Sequence, residues 1–353
     1  MRYPAIVVDT GKLKHNTAVM MDKAEKHGID IVPVTKVYCG NPEIAKASVE
    51  AGAKMLADSR IENIIKLKNL EVPKMLLRIP MLSQIDEIVE YVDISLNSEY
   101  EVIKALSEKA LGKGKVHKVL LMVDLGDLRE GVWYENAVEF AGKLLELKGI
   151  KLAGIGTNLT CYGAVIPSSK NLGLLVSIAE QIEKKYNIKL DIISGGNSSS
   201  IHLLNKNEVP KGINQLRLGE SIVLGNETAY SERIEGTYGD VFTYMAEIIE
   251  LKEKPSVPVG ETGVDAFGEK PVYTDRGIRK RAIVASGRQD IKLDGLIPRD
   301  KDAIVLGASS DHLIIDVSDC KKEYKVGDIL EFDMSYGALL AAFTSEYVNK
   351  VIK

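Results

Sequence analysis

The amino-acid sequence predicts an α/β protein: a (β/α)8 barrel of the TIM type followed by a mostly β C-terminal domain. Between residues 31 and 218, eight short apolar segments of β character alternate with longer amphipathic segments of helical period. This alternation is typical of a parallel sheet covered by helices. After about residue 235, β segments separated by turn residues take over. Because 353 residues exceed what one hydrophobic core usually supports, we expect two domains, residues 1–235 and 236–353.

The barrel prediction rests on the number and order of its segments. The expected strands are residues 31–36, 54–57, 74–79, 92–96, 116–124, 152–157, 190–194 and 215–218. The helical segments between them include residues 42–51, 62–70, 99–110, 134–147 and 168–186. Eight strands in succession favour a closed barrel over an open doubly wound sheet. No Gly-x-Gly-x-x-Gly motif follows the first strand, which argues against a dinucleotide-binding fold.

The C-terminal domain is predicted from β segments and turn residues. The β segments are residues 245–251, 281–285, 303–306, 312–317 and 329–332. Pairs such as Lys254-Pro255 and Val259-Gly260 mark turns between them. One more β segment, residues 5–8, precedes the barrel. Residues 1–10 are therefore a candidate to pair with the C-terminal domain.

The composition indicates a soluble protein of the cytoplasm. A net charge of −4, spread along the chain, provides no basic surface for nucleic acid. No apolar segment is long enough to span a bilayer, and residues 1–10 lack the features of a signal peptide. The cysteines Cys39, Cys161 and Cys320 are odd in number and far apart, as expected of reduced thiols. The five histidines form no cluster with metal-ligand spacing, so we expect no metal.

Lys36 is the first candidate for chemistry because it closes the first predicted strand. Functional residues of such barrels lie at the carboxyl ends of the strands. Apolar neighbours lower the pKa of a lysine and favour its reaction with a carbonyl to form a Schiff base. By position alone, a solvated lysine at a strand end is the more common interpretation of Lys36.

Polar residues at three other strand ends strengthen this interpretation. Residues 194–200 read Ser-Gly-Gly-Asn-Ser-Ser-Ser, and the N–H groups of such a turn form a ready phosphate site. Arg217-Leu218-Gly219-Glu220 ends the last strand, and the last two loops of a barrel often build a phosphate site together. Asp124 ends a buried strand and is followed by Arg129. These strand ends predict a phosphate-containing ligand beside Lys36.

At these residues the sequence resembles the alanine racemase-like group of fold type III pyridoxal phosphate enzymes, over nearly the whole chain. The resemblance implies pyridoxal 5′-phosphate as cofactor, an amino acid as substrate, and a homodimer with shared active sites. Lys36 corresponds to the lysine that holds the cofactor, and it is the expected catalytic residue. The cofactor-binding residues that the resemblance implies are Lys36, Tyr38, Arg129, Asn197, Ser198, Arg217, Gly219 and Glu220.

The resemblance also implies a role for each motif. Tyr38 matches a phosphate-binding tyrosine, with a spacing shorter by two residues. Gly196-Asn197-Ser198 matches the phosphate turn. Arg217 matches the arginine that contacts the pyridine nitrogen, and the residues after it offer N–H groups to the phosphate. Asp311 lies in a stretch that, in this family, reaches the substrate carboxylate from the partner subunit.

Three departures from the family pattern bear on the reaction. Asn158 stands where the family has a histidine, and Met122 replaces a lysine that is carbamylated in several alanine racemases. Arg288 stands where the family has its second catalytic base, a tyrosine, and is instead a candidate for binding the substrate carboxylate or the cofactor's phenolate oxygen. The overall pattern, including residues 58–63 and 335–340, is similar to the ornithine racemase branch.

The expected reaction is racemisation of ornithine or a similar diamino acid. It requires one group on each face of the α-carbon, and Lys36 serves one face. The candidates for the other are Cys161, Tyr162, Tyr273, Tyr336 and Tyr347. The candidates for binding a distal ammonium are Asp265, Asp290, Asp311 and Glu220. Alternatives are a decarboxylase, a D-hydroxyamino-acid aldolase or dehydratase, a pyridoxal phosphate carrier, and a barrel without cofactor.

Overall fold

A computed structural model describes residues 1–265, 267–268 and 270–353. The chain divides into two compact units. One is Thr10–Gly239, and the other combines Met1–Asp9 with Asp240–Lys353. The division after residue 239 lies close to the domain boundary expected after residue 235. None of the described helices combines the length and apolarity that crossing a bilayer requires.

The strands and helices have the following bounds. The strands are β1 (Ala5–Val8), β2 (Asp30–Pro33), β3 (Leu56–Asp58), β4 (Lys74–Leu76), β5 (Ile94–Asn97), β6 (His117–Asp124), β7 (Val132–Trp133), β8 (Ile150–Gly156), β9 (Ile192–Ser194), β10 (Gln215–Leu218), β11 (Phe242–Pro255), β12 (Ile278–Ala285), β13 (Leu296–Pro298), β14 (Ile304–Ala308), β15 (His312–Asp316), β16 (Ile329–Met334) and β17 (Asn349–Ile352). The helices are α1 (Thr10–Glu25), α2 (Pro42–Glu50), α3 (Ile61–Lys66), α4 (Ile85–Tyr91), α5 (Tyr100–Gly112), α6 (Ala137–Leu145), α7 (Ser169–Tyr186), α8 (Ile201–Lys206), α9 (Glu220–Val223) and α10 (Tyr336–Thr344).

The first unit is a parallel barrel. Its strands follow the order β2-β10-β9-β8-β6-β5-β4-β3, and every pairing between neighbours is parallel. The two ends of this path meet at a bridge between Val34 and Ala57, where the Thr35 N–H donates to the Ala57 carbonyl at 2.8 Å. Each of the eight expected barrel strands corresponds to a strand in this unit. The predicted fold class is confirmed.

Helix α1 is the largest element that the sequence pattern did not predict. Its buried face mixes apolar Leu13 and Met20 with polar Asn16 and Thr17. The Asn16 amide donates to the carbonyls of Ile222 and Tyr238 at 2.9 and 2.8 Å, so burial of this polar group is compensated. A polar residue on the buried face weakens the helical period of hydrophobicity from which a helix is predicted.

The second unit is built on an antiparallel sheet with the order β13-β16-β11-β12-β15-β14. Strand β1 pairs antiparallel with β11 and parallel with β17, so the N-terminal segment belongs to this sheet. The core of the unit includes Phe242, Tyr244 and Phe332, which are almost completely buried. Helix α10, β13 and β17 were not among the predicted elements. The unit is mostly β, as expected.

Gly154 lies where β8 and β9 approach each other closely. A Cβ atom at this residue would collide with the backbone carbonyl of Ile192, and nothing lies within 4 Å of a Cβ added at Gly173 in α7. We expect Gly154→Ala to lower the free energy of unfolding by about 1–3 kcal/mol through forced displacement of the strands. The control Gly173→Ala should raise it by ~0.5–1 kcal/mol because alanine favours helix. Urea unfolding measures both, and equal stabilities would contradict the packing of β8 on β9.

Candidate active site

Lys36 begins a single turn of 3-10 helix, Lys36–Tyr38, just after β2. The expected strand over residues 31–36 is therefore shorter than predicted, because β2 ends at Pro33 and Val34 makes only an isolated bridge. The turn closes through left-handed backbone at Cys39 and Gly40, with φ of 53° and 60°. Gly40 packs so closely on Asn63 that an added Cβ would lie 2.6 Å from the Asn63 Cβ. Lys36 thus lies on a turn, and the close packing of Gly40 on Asn63 holds the backbone of that turn in place.

A buried carboxylate anchors this turn to the next strand. The Thr35 hydroxyl donates to Asp58 Oδ2 at 2.5 Å, and the Asn63 amide donates to Asp58 Oδ1 at 3.0 Å. Burial raises the pKa of Asp58, and these hydrogen bonds oppose the rise. Because Asp58 ends β3, the anchor joins the two strands whose contact closes the barrel.

Glu220 lies within electrostatic range of Lys36. Burial raises the pKa of the Glu220 carboxyl, and the positive charge of Lys36 lowers it. The two residues are distant in the sequence, but β10 pairs with β2 so that Leu218 is opposite Pro33. The register of these two strands therefore brings the start of α9 to the lysine turn.

Arg217 is a buried cation at the carboxyl end of β10. Its side chain donates to the Thr157 carbonyl at 2.6 Å and to the Ser194 hydroxyl. Burial lowers the pKa of the guanidinium to about 10, so it stays protonated at neutral pH. The ends of β8, β9 and β10 are thus held together around one positive charge.

The Gly-Asn-Ser turn after β9 is tied to the neighbouring loops. Asn197 Oδ1 accepts the N–H of Ser199 at 2.8 Å, and its Nδ2 donates to Asn158 Oδ1 at 2.9 Å. The Ser198 hydroxyl accepts the N–H of Ser221 at 3.2 Å and contacts the Ser221 hydroxyl at 3.1 Å. Asn158, which replaces the family's histidine, is therefore a hydrogen-bond partner of the phosphate turn.

Arg129 lies on the loop that follows β6. Asp124, at the end of that strand, shapes the loop by accepting the N–H groups of Gly126 and Leu128 at 2.8 and 3.2 Å. The Arg129 guanidinium pairs with both carboxylate oxygens of Glu130. Arg129 and Glu130 both lie within electrostatic range of Arg217, so this loop faces the same end of the barrel.

Unpaired polar atoms are concentrated at this end. Among the described residues, five buried side-chain N or O atoms lack a hydrogen-bond partner. Four of them lie at or just after the carboxyl ends of β5, β8 and β9, and they are Asn97 Oδ1, Thr157 Oγ1, Asn158 Nδ2 and Ser199 Oγ. An unsatisfied buried polar atom costs ~1–3 kcal/mol, and such a concentration is typical of a ligand-binding site.

These atoms add residues that the sequence analysis did not select as site residues. Ser199 belongs to the predicted phosphate turn, but only its neighbours Asn197 and Ser198 were chosen. Thr157 and Asn97 are polar residues at the ends of otherwise apolar strands, which is the signal that singled out Lys36 and Asp124. Tyr38 is buried within the lysine turn.

Arg288 and Asp311 lie in the second unit, where adjacent loops bring them together. The Arg288 N–H donates to the Ser309 carbonyl at 3.0 Å, and its guanidinium lies 4.3 Å from the centre of the Phe267 ring. Asp311 Oδ1 accepts a hydrogen bond from His312 Nδ1 at 2.8 Å, which lowers the pKa of the carboxyl. The predicted site residues thus form two groups, one in each unit.

The comparisons with known proteins agree with this geometry. The family model of the alanine racemase N-terminal domain matches residues 8–227. Over 99% of both chains, the sequence is 53% identical to ornithine racemase from Acetoanaerobium sticklandii. It is 44% identical to lysine racemase from Thermotoga maritima, again over 99% of both chains.

Solved structures share the fold at low sequence identity. Alanine racemase from Streptomyces lavendulae superimposes with a TM-score of 0.76 at 15% identity, covering 100% of this chain and 98% of the other. D-threonine aldolase from Filomicrobium marinum gives a TM-score of 0.74 at 14% identity, covering 98% and 90%. The resemblance noted from the sequence motifs is confirmed, and this chain belongs to the alanine racemase family.

Proposed function

We propose that this protein is a pyridoxal phosphate-dependent racemase of ornithine or a similar diamino acid. The observation that carries the proposal is the full-length identity of 53% to an ornithine racemase and 44% to a lysine racemase. The names of both relatives specify diamino acids. The geometry of the barrel end supports the same conclusion, because it gathers a lysine, a buried guanidinium and unpaired polar atoms.

The residues at this end fit the cofactor. Lys36 would hold it covalently, and Ser199 Oγ would donate to its phosphate. This gives that buried hydroxyl the partner that it lacks among the described residues. Asn197, Ser198, Gly219 and Glu220 would shape the turns around the phosphate. When bound, pyridoxal phosphate withdraws electrons from the substrate and makes the proton on the α-carbon acidic.

The charged residues would determine which groups donate hydrogen bonds and which transfer protons at this site. Arg217 stays protonated, so toward a ring nitrogen it donates a hydrogen bond and accepts none. Arg129 would bind the cofactor, and the Glu130 carboxylate orients its guanidinium. Lys36 Nζ, once neutral, removes or returns the α-proton on one face of the substrate.

The proposal includes a homodimer in the cytoplasm. The three cysteines are free thiols, which suits a reducing compartment. Arg288 and Asp311 belong to the unit that, in this family, completes the partner subunit's site. We propose that Arg288 binds the substrate carboxylate there and that Asp311 binds the distal ammonium of the substrate.

Racemisation of free diamino acids is the direct test. We expect the purified protein with pyridoxal phosphate to interconvert L- and D-ornithine or lysine at least ~10-fold faster than alanine, a difference of about 1.4 kcal/mol in the barrier. Chiral chromatography measures each rate. Lys36→Ala should lose activity, and borohydride should fix cofactor on the Lys36 peptide of the wild type only. Preference for alanine, or fixation on another peptide, would contradict the proposal.

Ser199 tests the phosphate site through binding alone. Among the residues that the structure describes, none is a hydrogen-bond partner of its hydroxyl, whereas the Ser200 hydroxyl donates to the Gly195 carbonyl at 2.7 Å. We expect Ser199→Ala to weaken pyridoxal phosphate binding by about 10-fold or more, as for loss of a hydrogen bond to a charged group. The melting temperature of the cofactor-free protein should not fall, whereas Ser200→Ala should lower it. Unchanged affinity in Ser199→Ala would remove Ser199 from the phosphate site.

Shared active sites can be tested by subunit mixing. Lys36→Ala and Asp311→Ala should each be inactive alone, because each lacks one part of every site. After joint unfolding and refolding, random pairing should restore about a quarter of wild-type activity, since half of the dimers have one intact site. Analytical ultracentrifugation gives the assembly state. An active wild-type monomer, or no recovery in confirmed heterodimers, would argue against shared sites.

A further inference from the structure

The proposed racemisation leaves one acid–base group unassigned. Lys36 serves one face of the α-carbon, and a guanidinium such as Arg288 cannot accept a proton near neutral pH. Of the candidate groups, Cys161 and Tyr162 belong to the same unit as Lys36, and Tyr273, Tyr336 and Tyr347 belong to the other. The contacts of Cys161 distinguish it from these residues.

The Cys161 thiol is connected to the cofactor-binding residues. Its Sγ lies 3.4 Å from Asn197 Nδ2, the same amide nitrogen that donates to Asn158. Arg129 and Arg217 both lie within electrostatic range of the sulfur. Cys161 is also exposed, so a substrate can reach it.

A buried carboxylate holds the Cys161 loop in place. Asp127 accepts the N–H groups of Thr160 and Tyr162 at 3.0 Å each, Cys161 at 3.3 Å and Val165 at 3.2 Å. Thr160 has a φ of 67°, a left-handed conformation that is unfavourable for a β-branched residue. Such backbone persists only where surrounding contacts fix it, and strained loops of this kind cluster at functional sites.

A second observation points to a ligand beside this loop. Thr157 Oγ1 and Asn158 Nδ2, just before Cys161 in the chain, are buried and have no hydrogen-bond partner in the described part of the chain. Thr157 is fully buried, and its carbonyl accepts a hydrogen bond from Arg217. The segment that carries Cys161 therefore also carries polar atoms that need a bound partner.

We propose that Cys161 is the second acid–base residue of the racemase, a conclusion that rests on the proposed function. In one direction the Cys161 thiolate takes the proton from the α-carbon and becomes a thiol, and the electron pair of the C–H bond stays with the substrate. The Lys36 ammonium then gives a proton to the opposite face and becomes an amine. In the other direction the two residues exchange roles, and solvent restores their protonation.

Hydrogen exchange in D2O separates the two faces. The wild type should wash out the α-proton of both enantiomers with inversion. Cys161→Ala should slow racemisation by ~10²-fold or more, the usual contribution of an acid–base group. In Cys161→Ala, Lys36 should still exchange the α-proton of one enantiomer with solvent, with retention of configuration. The thiol control Cys320→Ala should match the wild type.

Cysteine alkylation supplies a readout that does not depend on activity. In cofactor-free protein, iodoacetamide should label Cys161, and added pyridoxal phosphate should slow this labelling several-fold while labelling of Cys320 is unchanged. Cys161→Ala should bind the cofactor with wild-type affinity. Mass spectrometry of the peptides and equilibrium titration provide these measurements.

The outcomes distinguish this inference from the proposed function. A wild type that racemises no diamino acid refutes the proposed function. If the wild type is active and Cys161→Ala racemises the substrate at a rate within ~3-fold of the wild-type rate, the role of Cys161 is overturned. Loss of an acid–base group lowers the rate far more than this. The role of Cys161 is also overturned if Tyr162→Phe, and not Cys161→Ala, exchanges the α-proton of one enantiomer with retention. It is overturned as well if Cys161→Ala binds the cofactor but exchanges no α-proton at all.

Discussion

The buried guanidinium of Arg217 is the constraint on which the arrangement of the site depends. A charge removed from water costs several kcal/mol unless hydrogen bonds and opposite charges compensate it. Here the Thr157 carbonyl and the Ser194 hydroxyl accept its hydrogen bonds, and Glu130 lies within electrostatic range. The ends of β8, β9 and β10 must therefore keep fixed positions around this cation. Those positions determine where the phosphate turn and the Cys161 loop begin.

Hydrogen bonds between neighbouring loops hold further parts of the barrel end in fixed positions. Thr35 binds Asp58 across the closing strands, Ser198 binds Ser221 between the last two loops, and Asn197 binds Asn158 across β8 and β9. Such contacts hold ligand-binding side chains in place before a ligand arrives, which is how preorganised sites gain binding energy and rate. Among the described residues, the same loops leave a few buried polar atoms without a hydrogen-bond partner.

The fold that this chain shares with its family and its departures from the family pattern concern different features of the molecule. The first is the barrel, and the second are individual side chains. The barrel superimposes on alanine racemase with 15% identity, so its packing tolerates wide sequence change. Asn158, Met122 and Arg288 depart from the family pattern, and the barrel strands are nevertheless formed as in the family. A new acid–base group on a loop such as that of Cys161 is compatible with this pattern, because barrel enzymes vary their chemistry through their loops.

The sequence by itself determined the alternation of eight apolar strands with helices and the mostly β C-terminal unit. It also located Lys36 near the end of the first barrel strand and Arg217 near the end of the last. These features are local, since hydrophobic period and strand-end polarity are visible within short segments. Helix α1 escaped prediction because Asn16 and Thr17 interrupt its apolar face and find partners far along the chain. Only the tertiary structure decided that Lys36 lies on a 3-10 turn and that Glu220 lies within electrostatic range of it. It also decided that, among the described residues, the side-chain hydroxyls of Ser199 and Thr157 have no hydrogen-bond partner. Each of these depends on strand register and barrel closure, which join residues distant in sequence and leave no periodic signal in the chain.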